Sequence, residues 1–123
     1  MKSLLNNISF KTDDGKLTEM FLTKAEAIGE KLDIKITQYR KFYEKVLELN
    51  EKSKSLEDED FKIKVLPFLK MLVSKVVYAK KRGNCGDNFE ILMKESIKKV
   101  NSKEELVNFK YFLEAIIGYM PKK

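Results

Sequence analysis

Ile36-Thr37-Gln38-Tyr39-Arg40-Lys41-Phe42-Tyr43-Glu44-Lys45-Val46-Leu47-Glu48-Leu49-Asn50 is the stretch that decides the fold class. Tyr39, Phe42, Tyr43, Val46 and Leu47 recur at i, i+3, i+4, i+7 and i+8, the spacing of one face of an α-helix. Arg40, Lys41, Glu44, Lys45 and Glu48 fill the opposite arc. Thr37 offers a side-chain oxygen for an N-cap, and Ile36 before it the outer half of a hydrophobic staple. The helix is expected to end near Asn50, before a polar linker from Glu51 to Ser55.

The helical period extends in both directions. Upstream, Leu17, Met20, Phe21, Ile28 and Leu32 predict a helix over about Lys16 to Leu32, with Gly29 weakening its end. The first fifteen residues lack sustained periodicity and close on the turn signal Thr12-Asp13-Asp14-Gly15, so they read as an arm. Downstream, Ser55-Leu56-Glu57-Asp58 has the pattern of a capping box. The third helix that it opens is acidic at its start (Glu57 to Asp60) and basic at its end (Lys80, Lys81, Arg82), which complements the helix dipole. Pro67 lacks an N–H and is expected to kink or split this helix, and Gly83 is its natural stop. Leu69, Met71, Leu72, Val73, Val76 and Val77 cover most of its circumference, which predicts central burial.

Asp87 with Glu90 opens a fourth helix, whose inner stripe is Phe89, Leu92, Met93, Ile97 and Val100. Ser102 with Glu105 is a second capping box and opens a fifth helix that ends near Tyr119, before Pro121. Leu106, Phe109, Leu113, Ile116, Ile117 and Met120 line one face of it, and Tyr111, Phe112, Ala115 and Tyr119 continue around the other. That second apolar face either meets another chain or lies between helices of its own bundle. The fold class is therefore all-α: a compact bundle of about five helices, the third kinked near Pro67. One domain is expected over residues 1–123, with an arm at 1–15 and the bundle at 16–123.

Composition narrows the chemistry. Hydrophobic residues make up 43% of the 123, enough for a real core. The chain has no histidine, which excludes His-based triads, His general bases and His-ligated zinc. Cys85 is the only cysteine, so neither a disulfide nor a Cys-rich metal site is expected. No P-loop or G-x-G-x-x-G motif occurs. No cofactor, no metal and no catalytic residue follow from these motifs. Met1 to Phe10 is a broken apolar run interrupted by Asn6 and Asn7, so no signal peptide and no membrane span are expected, and the cytoplasm is the expected location.

The net charge of +6 is unevenly spread. Phe61 to Val100 holds ten Lys/Arg against three Asp/Glu, while the rest of the chain is close to neutral. This basic segment suits an anionic partner or is a solvated lysine-rich face. Within it, Met71, Lys75, Tyr78 and Arg82 follow i, i+4, i+7 and i+11 and form one row. Two cations with an aromatic between them suit phosphates and a stacked base, unless Tyr78 belongs to the core. Arg40, Lys41 and Lys45, with Gln38, gather near the positive end of the second helix and could hold a phosphate, or pair locally with its glutamates. Lys80, Lys81 and Arg82 suit backbone phosphate and equally suit capping of a helix C-terminus.

Three stretches resemble the small subunit of type III-A CRISPR effector complexes, often called the Csm small subunit. Ile36 to Tyr43 is similar to that family's Thr/Ser-Gln-x-Arg-Lys-Phe helix start. Lys75-Val76-Val77-Tyr78-Ala79-Lys80-Lys81-Arg82 is similar to its Lys-x-x-Tyr-Ala-x-x-Arg. Phe109 to Tyr119 resembles its aromatic-Glu-Ala-Ile-x-x-Tyr ending. The motifs stand in the family's order; Lys80 and Lys81 depart from it, standing where small residues are common. The resemblance implies a non-catalytic helical subunit, present in several copies, which lines the groove holding crRNA paired to single-stranded target RNA. It implies contacts to phosphates rather than to bases, with the backbone and large subunits of the complex as neighbours and self-association as stacked copies or a homodimer. The RNA-contact candidates are Gln38, Arg40, Lys41, Lys45, Lys75, Lys80, Lys81 and Arg82. The subunit-contact candidates are Tyr111, Phe112, Ala115 and Tyr119. The alternative is a helical adaptor between proteins whose basic face is only solvated.

Overall fold

The stripe that begins at Tyr39 forms an 18-residue helix, α3, over Ile36–Ser53. Around it the computed structural model describes residues 1–6, 8–11 and 20–121. In chain order the other helices are α1 (Lys2–Leu5), α2 (Ala25–Lys31), α4 (Asp58–Lys64), α5 (Leu66–Lys81), α6 (Asp87–Ile97) and α7 (Lys103–Ile117). A single π-helical turn, Met20–Lys24, runs directly into α2. Among the described residues there is no strand, and one isolated bridge pairs Ile34 with Cys85. The expected turn at Thr12 to Gly15 and the start of the first expected helix, Leu17 included, lie outside the described residues.

The five expected helices are present, and the third is divided. The chain leaves helical geometry at Val65 (φ −120°, ψ −49°), and Pro67 stands in the first turn of α5, where its missing N–H costs nothing. Gly83 ends α5 at φ 80°. The Asn84 N–H donates to the Ala79 carbonyl (2.9 Å) and the Gly83 N–H to that of Lys80 (3.0 Å), which is a Schellman motif. Ser102 caps α7 as expected: its Oγ accepts from the Glu105 N–H (3.2 Å), and the Glu105 carboxylate accepts from the Asn101 N–H (2.8 Å).

Other caps differ from expectation. Thr37 lies inside α3, whose N-cap is Lys35, and Glu57 rather than Ser55 precedes α4; neither end has a side-chain cap. Asp87 is the first residue of α6, not its cap. That end is capped from elsewhere in the chain: the Asp33 carboxylate accepts from the Asn88 and Phe89 N–H groups, each at 2.9 Å. Asp33 follows α2, so this contact pins the α2–α3 connection to the start of α6. An N-cap is a local signal, whereas a carboxylate 55 residues upstream leaves none.

The core is aromatic at its centre. Tyr39, Phe61, Phe89, Phe109 and Phe112 are fully buried, with Leu69, Leu92 and Ile116 among them. α7 packs on α2, on α3 and on the π turn, α6 packs on α5 and α1, and α3 touches α5. Among the described residues at the start of the chain, Leu5, Ile8 and Phe10 are buried, and Phe10 meets Phe109 (5.5 Å between centroids) and Phe112 (5.8 Å), so this segment packs on the core. The Lys99 ammonium donates to the Leu5 and Ile8 carbonyls, and Asn108 donates to that of Phe10 (2.6 Å). Three apolar residues at irregular spacing carry no period, which is why this packing was not legible. Phe112 is corrected with it. Its ring is covered by Phe10 and Phe21, so it belongs to the chain's own core and not to an exposed second face.

Gly29 does more than weaken α2. A Cβ there would stand 2.7 Å from the Cβ of Tyr119 and 2.9 Å from the Ile116 carbonyl, so glycine lets α2 approach the end of α7. Gly29→Ala is expected to lower stability by roughly 1–3 kcal/mol through overpacking, despite alanine's better helix propensity. Gly118→Ala, where the nearest atom is 3.6 Å away, should be neutral or slightly stabilising. Urea denaturation of both variants checks this; equal midpoints would contradict the close approach.

Candidate nucleic-acid interface

α5 is amphipathic rather than buried all round, contrary to the expectation of central burial. Leu69, Leu72, Val76 and Ala79 face the core, but Phe68, Met71 and Tyr78 are more than half exposed (52, 57 and 61%). No helix among the described residues covers that side. The row read from the sequence, Met71, Lys75, Tyr78 and Arg82, is therefore a surface row, and Phe68 extends it by three residues toward the helix start. Tyr78 is not a core residue. The Arg82 guanidinium lies 5.7 Å from the centre of its ring and donates to its hydroxyl at 3.1 Å. This i, i+4 pair holds a planar cation beside an exposed ring.

α3 lies alongside, running the opposite way. Gln38, near its start, shares a cleft of about 410 Å³ with Gly83 and Asn84, beyond the end of α5. Leu49 and Lys52, near its end, share a groove of about 320 Å³ with Phe68, Met71, Leu72 and Lys75. Lys45 lines the same groove and pairs loosely with Glu48 (3.6 Å). The Lys52 ammonium lies 5.2 Å from the centre of the Phe68 ring. The structure thus joins Lys45 of the α3 group to Lys75 of the α5 row on one face. Lys41 is exposed one turn before Lys45.

Arg40 does not join them. Five residues separate it from Lys45, which at 3.6 residues per turn is about 140° around the helix. It sits on the flank of Tyr43, whose hydroxyl bonds Glu114 of α7. Lys80 is also diverted. It is half-buried and pairs with Asp87 (2.5 Å) and Glu90 (3.2 Å), tying the end of α5 to the start of α6. Hydrogen bonds to Asp87 and then Glu90 raise its pKa. Lys81 and Arg82 remain exposed.

Cys85 packs inside the fold. Its thiol donates weakly to the Val76 carbonyl (3.9 Å), and burial first, then the charges of Asp33 and Glu90, pushes its pKa up. Among the described residues no group of three metal-binding side chains converges, and no helix is long and apolar enough to cross a membrane. The last helix keeps a narrower exposed strip than expected, with Tyr111 and Tyr119 exposed and Ala115 half-buried between them. Lys110 lies 4.0 Å over the Tyr111 ring.

Phe68 and Lys52 were missed by the sequence reading. Phe68 stands three residues before Met71, the spacing that marks the same row. Lys52 falls in the expected linker, but α3 continues to Ser53, whose hydroxyl donates back to the Asn50 carbonyl (2.8 Å).

A family model described as Csm2 Type III-A matches residues 16–120. No curated protein and no solved structure matches the chain.

The Lys80 contacts have a defined pH signature. A lysine whose folded pKa is raised contributes stability that is complete below the unfolded value of about 10.4 and lost as pH rises through the folded one. The stability difference between the wild type and Lys80→Met should therefore be constant from pH 7 to 9 and shrink above the ordinary lysine range. Denaturant midpoints across pH check this; a difference that persists unchanged at high pH would show that the ion pairs contribute nothing.

Proposed function

The chain belongs to the Csm2 Type III-A family, and from that premise we propose that its α3–α5 face lines the groove for crRNA and target RNA through contacts to the phosphate backbone. It is a small subunit of a type III-A CRISPR complex. The observation that carries the finer reading is the surface strip of Lys45, Lys52, Lys75, Tyr78 and Arg82, which gathers cations from two helices on one side of the molecule. Lysine ammoniums are point charges with no preferred base edge, so such a strip follows a backbone and leaves sequence to base pairing. Gln38 and Lys41 belong to the same side. Lys80 already has carboxylate partners, and Arg40 lies on the other flank, so both contribute less.

In this reading the subunit performs no cleavage. It works in the cytoplasm beside the backbone and large subunits of the complex. Tyr111 and Tyr119 are two exposed aromatic residues on one edge at the end of the chain's last helix, which supports that edge of α7 as the contact to a neighbouring subunit or a further copy, although Ile63 of α4 is the more exposed apolar side chain. The adaptor alternative assigns no RNA role to the cations.

Binding of the purified chain to labelled single-stranded RNA across a salt series separates the two. The RNA reading predicts that log K falls with log salt by about 0.7 per phosphate neutralised, and that Lys75→Glu with Arg82→Glu weakens binding and makes the slope shallower by about 1.4. Arg40→Glu should have the smaller effect. Unchanged binding in the double variant, or none by either protein at low salt, would favour the adaptor.

A further inference from the structure

The groove between α3 and α5 has a feature that phosphate binding does not require. Its floor is apolar: Leu49, Phe68, Met71 and Leu72. Phe68 and Met71 stay more than half exposed, which leaves apolar area in contact with water. Cations flank this floor on both helices, with Lys45 and Lys52 on α3 and Lys75 on α5, against one acid, Glu48, already paired with Lys45. A phosphate chain alone would need only the lysines. A flat apolar body with anionic groups on either side fits the whole groove, and its volume of about 320 Å³ falls at the small end of ligand clefts.

We infer that this groove is a subsite for one unpaired nucleotide, its base laid on Phe68 and Met71 and its flanking phosphates held by Lys45, Lys52 and Lys75. The inference rests on the RNA-binding reading above and deepens it: the face contacts a base as well as the backbone. Stacking on a side chain uses the π-face that every base has, so the subsite is tolerant of sequence. It requires a base outside a duplex, because a paired base has both faces covered by its neighbours. Lys52 now rests on the Phe68 ring, and an entering base lets it exchange that ring for a phosphate oxygen.

The test compares binding of the full chain to a labelled single-stranded RNA and to an RNA of equal length with abasic sites, which keeps the phosphates and removes the bases. Wild type and Phe68→Ala/Met71→Ala are measured on both, with thermal melts verifying that the variant folds. Wild type should bind the intact RNA about five-fold or more tightly than the abasic one. The variant should lose that preference while keeping the wild-type salt slope. Salt-steep binding that is equal on both RNAs overturns the subsite and leaves the backbone reading intact. No binding to either RNA at low salt overturns both. A dimer seen by light scattering in wild type and lost in the variant, without any base preference, would make the groove a contact between copies and also overturn the subsite.

Discussion

The buried hydroxyl of Tyr39 orients the molecule. A phenol inside a core must find a hydrogen-bond partner, and this one donates to the Leu113 carbonyl of α7 at 2.7 Å. Burial raises its pKa well above the ordinary tyrosine value, so it stays a donor throughout the physiological range. The same ring meets Phe89 of α6 edge-on at 5.8 Å. One side chain therefore sets the rotation of α3 against two other helices. With Tyr39 inward, Lys41, Lys45 and Lys52 turn toward solvent and α5, and Arg40 turns away. The α3 side of the cationic strip depends on that register.

The basic segment then divides by use. Some cations are tied into the fold. Lys80 joins α5 to α6 through two carboxylates, and Lys70 and Lys99 donate to the carbonyls of Ile97, Leu5 and Ile8. Partial burial lowers the pKa of Lys70 and Lys99, the opposite direction from Lys80, because they meet neutral carbonyls rather than carboxylates. Others, Lys75 and Arg82 among them, have no acidic partner among the described contacts and face outward. A charge count over Phe61 to Val100 cannot make this distinction. It is a matter of which carboxylates the fold brings within reach, and Asp87 and Glu90 happen to face Lys80.

What was legible in the sequence follows from range. The stripes of α3, α6 and α7, the Ser102–Glu105 box, the stop at Gly83 and the break close to Pro67 are encoded within a turn or two, and all are present. So is the row from Met71 to Arg82. The features that were not legible rest on distant partners: the Asp33 cap on α6, the Phe10 contacts that bury Phe112, and the approach of α2 to α7 at Gly29. For α5, six apolar residues suggested burial on every side. The sequence held no sign of how many neighbours that helix has, and with one side uncovered Met71 joins Phe68 and Tyr78 on the surface of the candidate interface. The resemblance to the type III-A small subunit rested on three short motifs that include Tyr39, Tyr78 and Phe109. Two of these rings are core contacts and one is exposed, so the motifs combine residues of the fold with one of the proposed interface.

The most direct measurement is photo-crosslinking in the assembled type III-A complex, with 4-thiouridine placed in the RNA and the crosslinked residues of this subunit identified by mass spectrometry. Crosslinks are expected on the α3–α5 face, at Phe68, Lys75 and Tyr78. Crosslinks confined to the α7 edge around Tyr111 and Tyr119, with the α3–α5 face unlabelled, would contradict the RNA-groove reading.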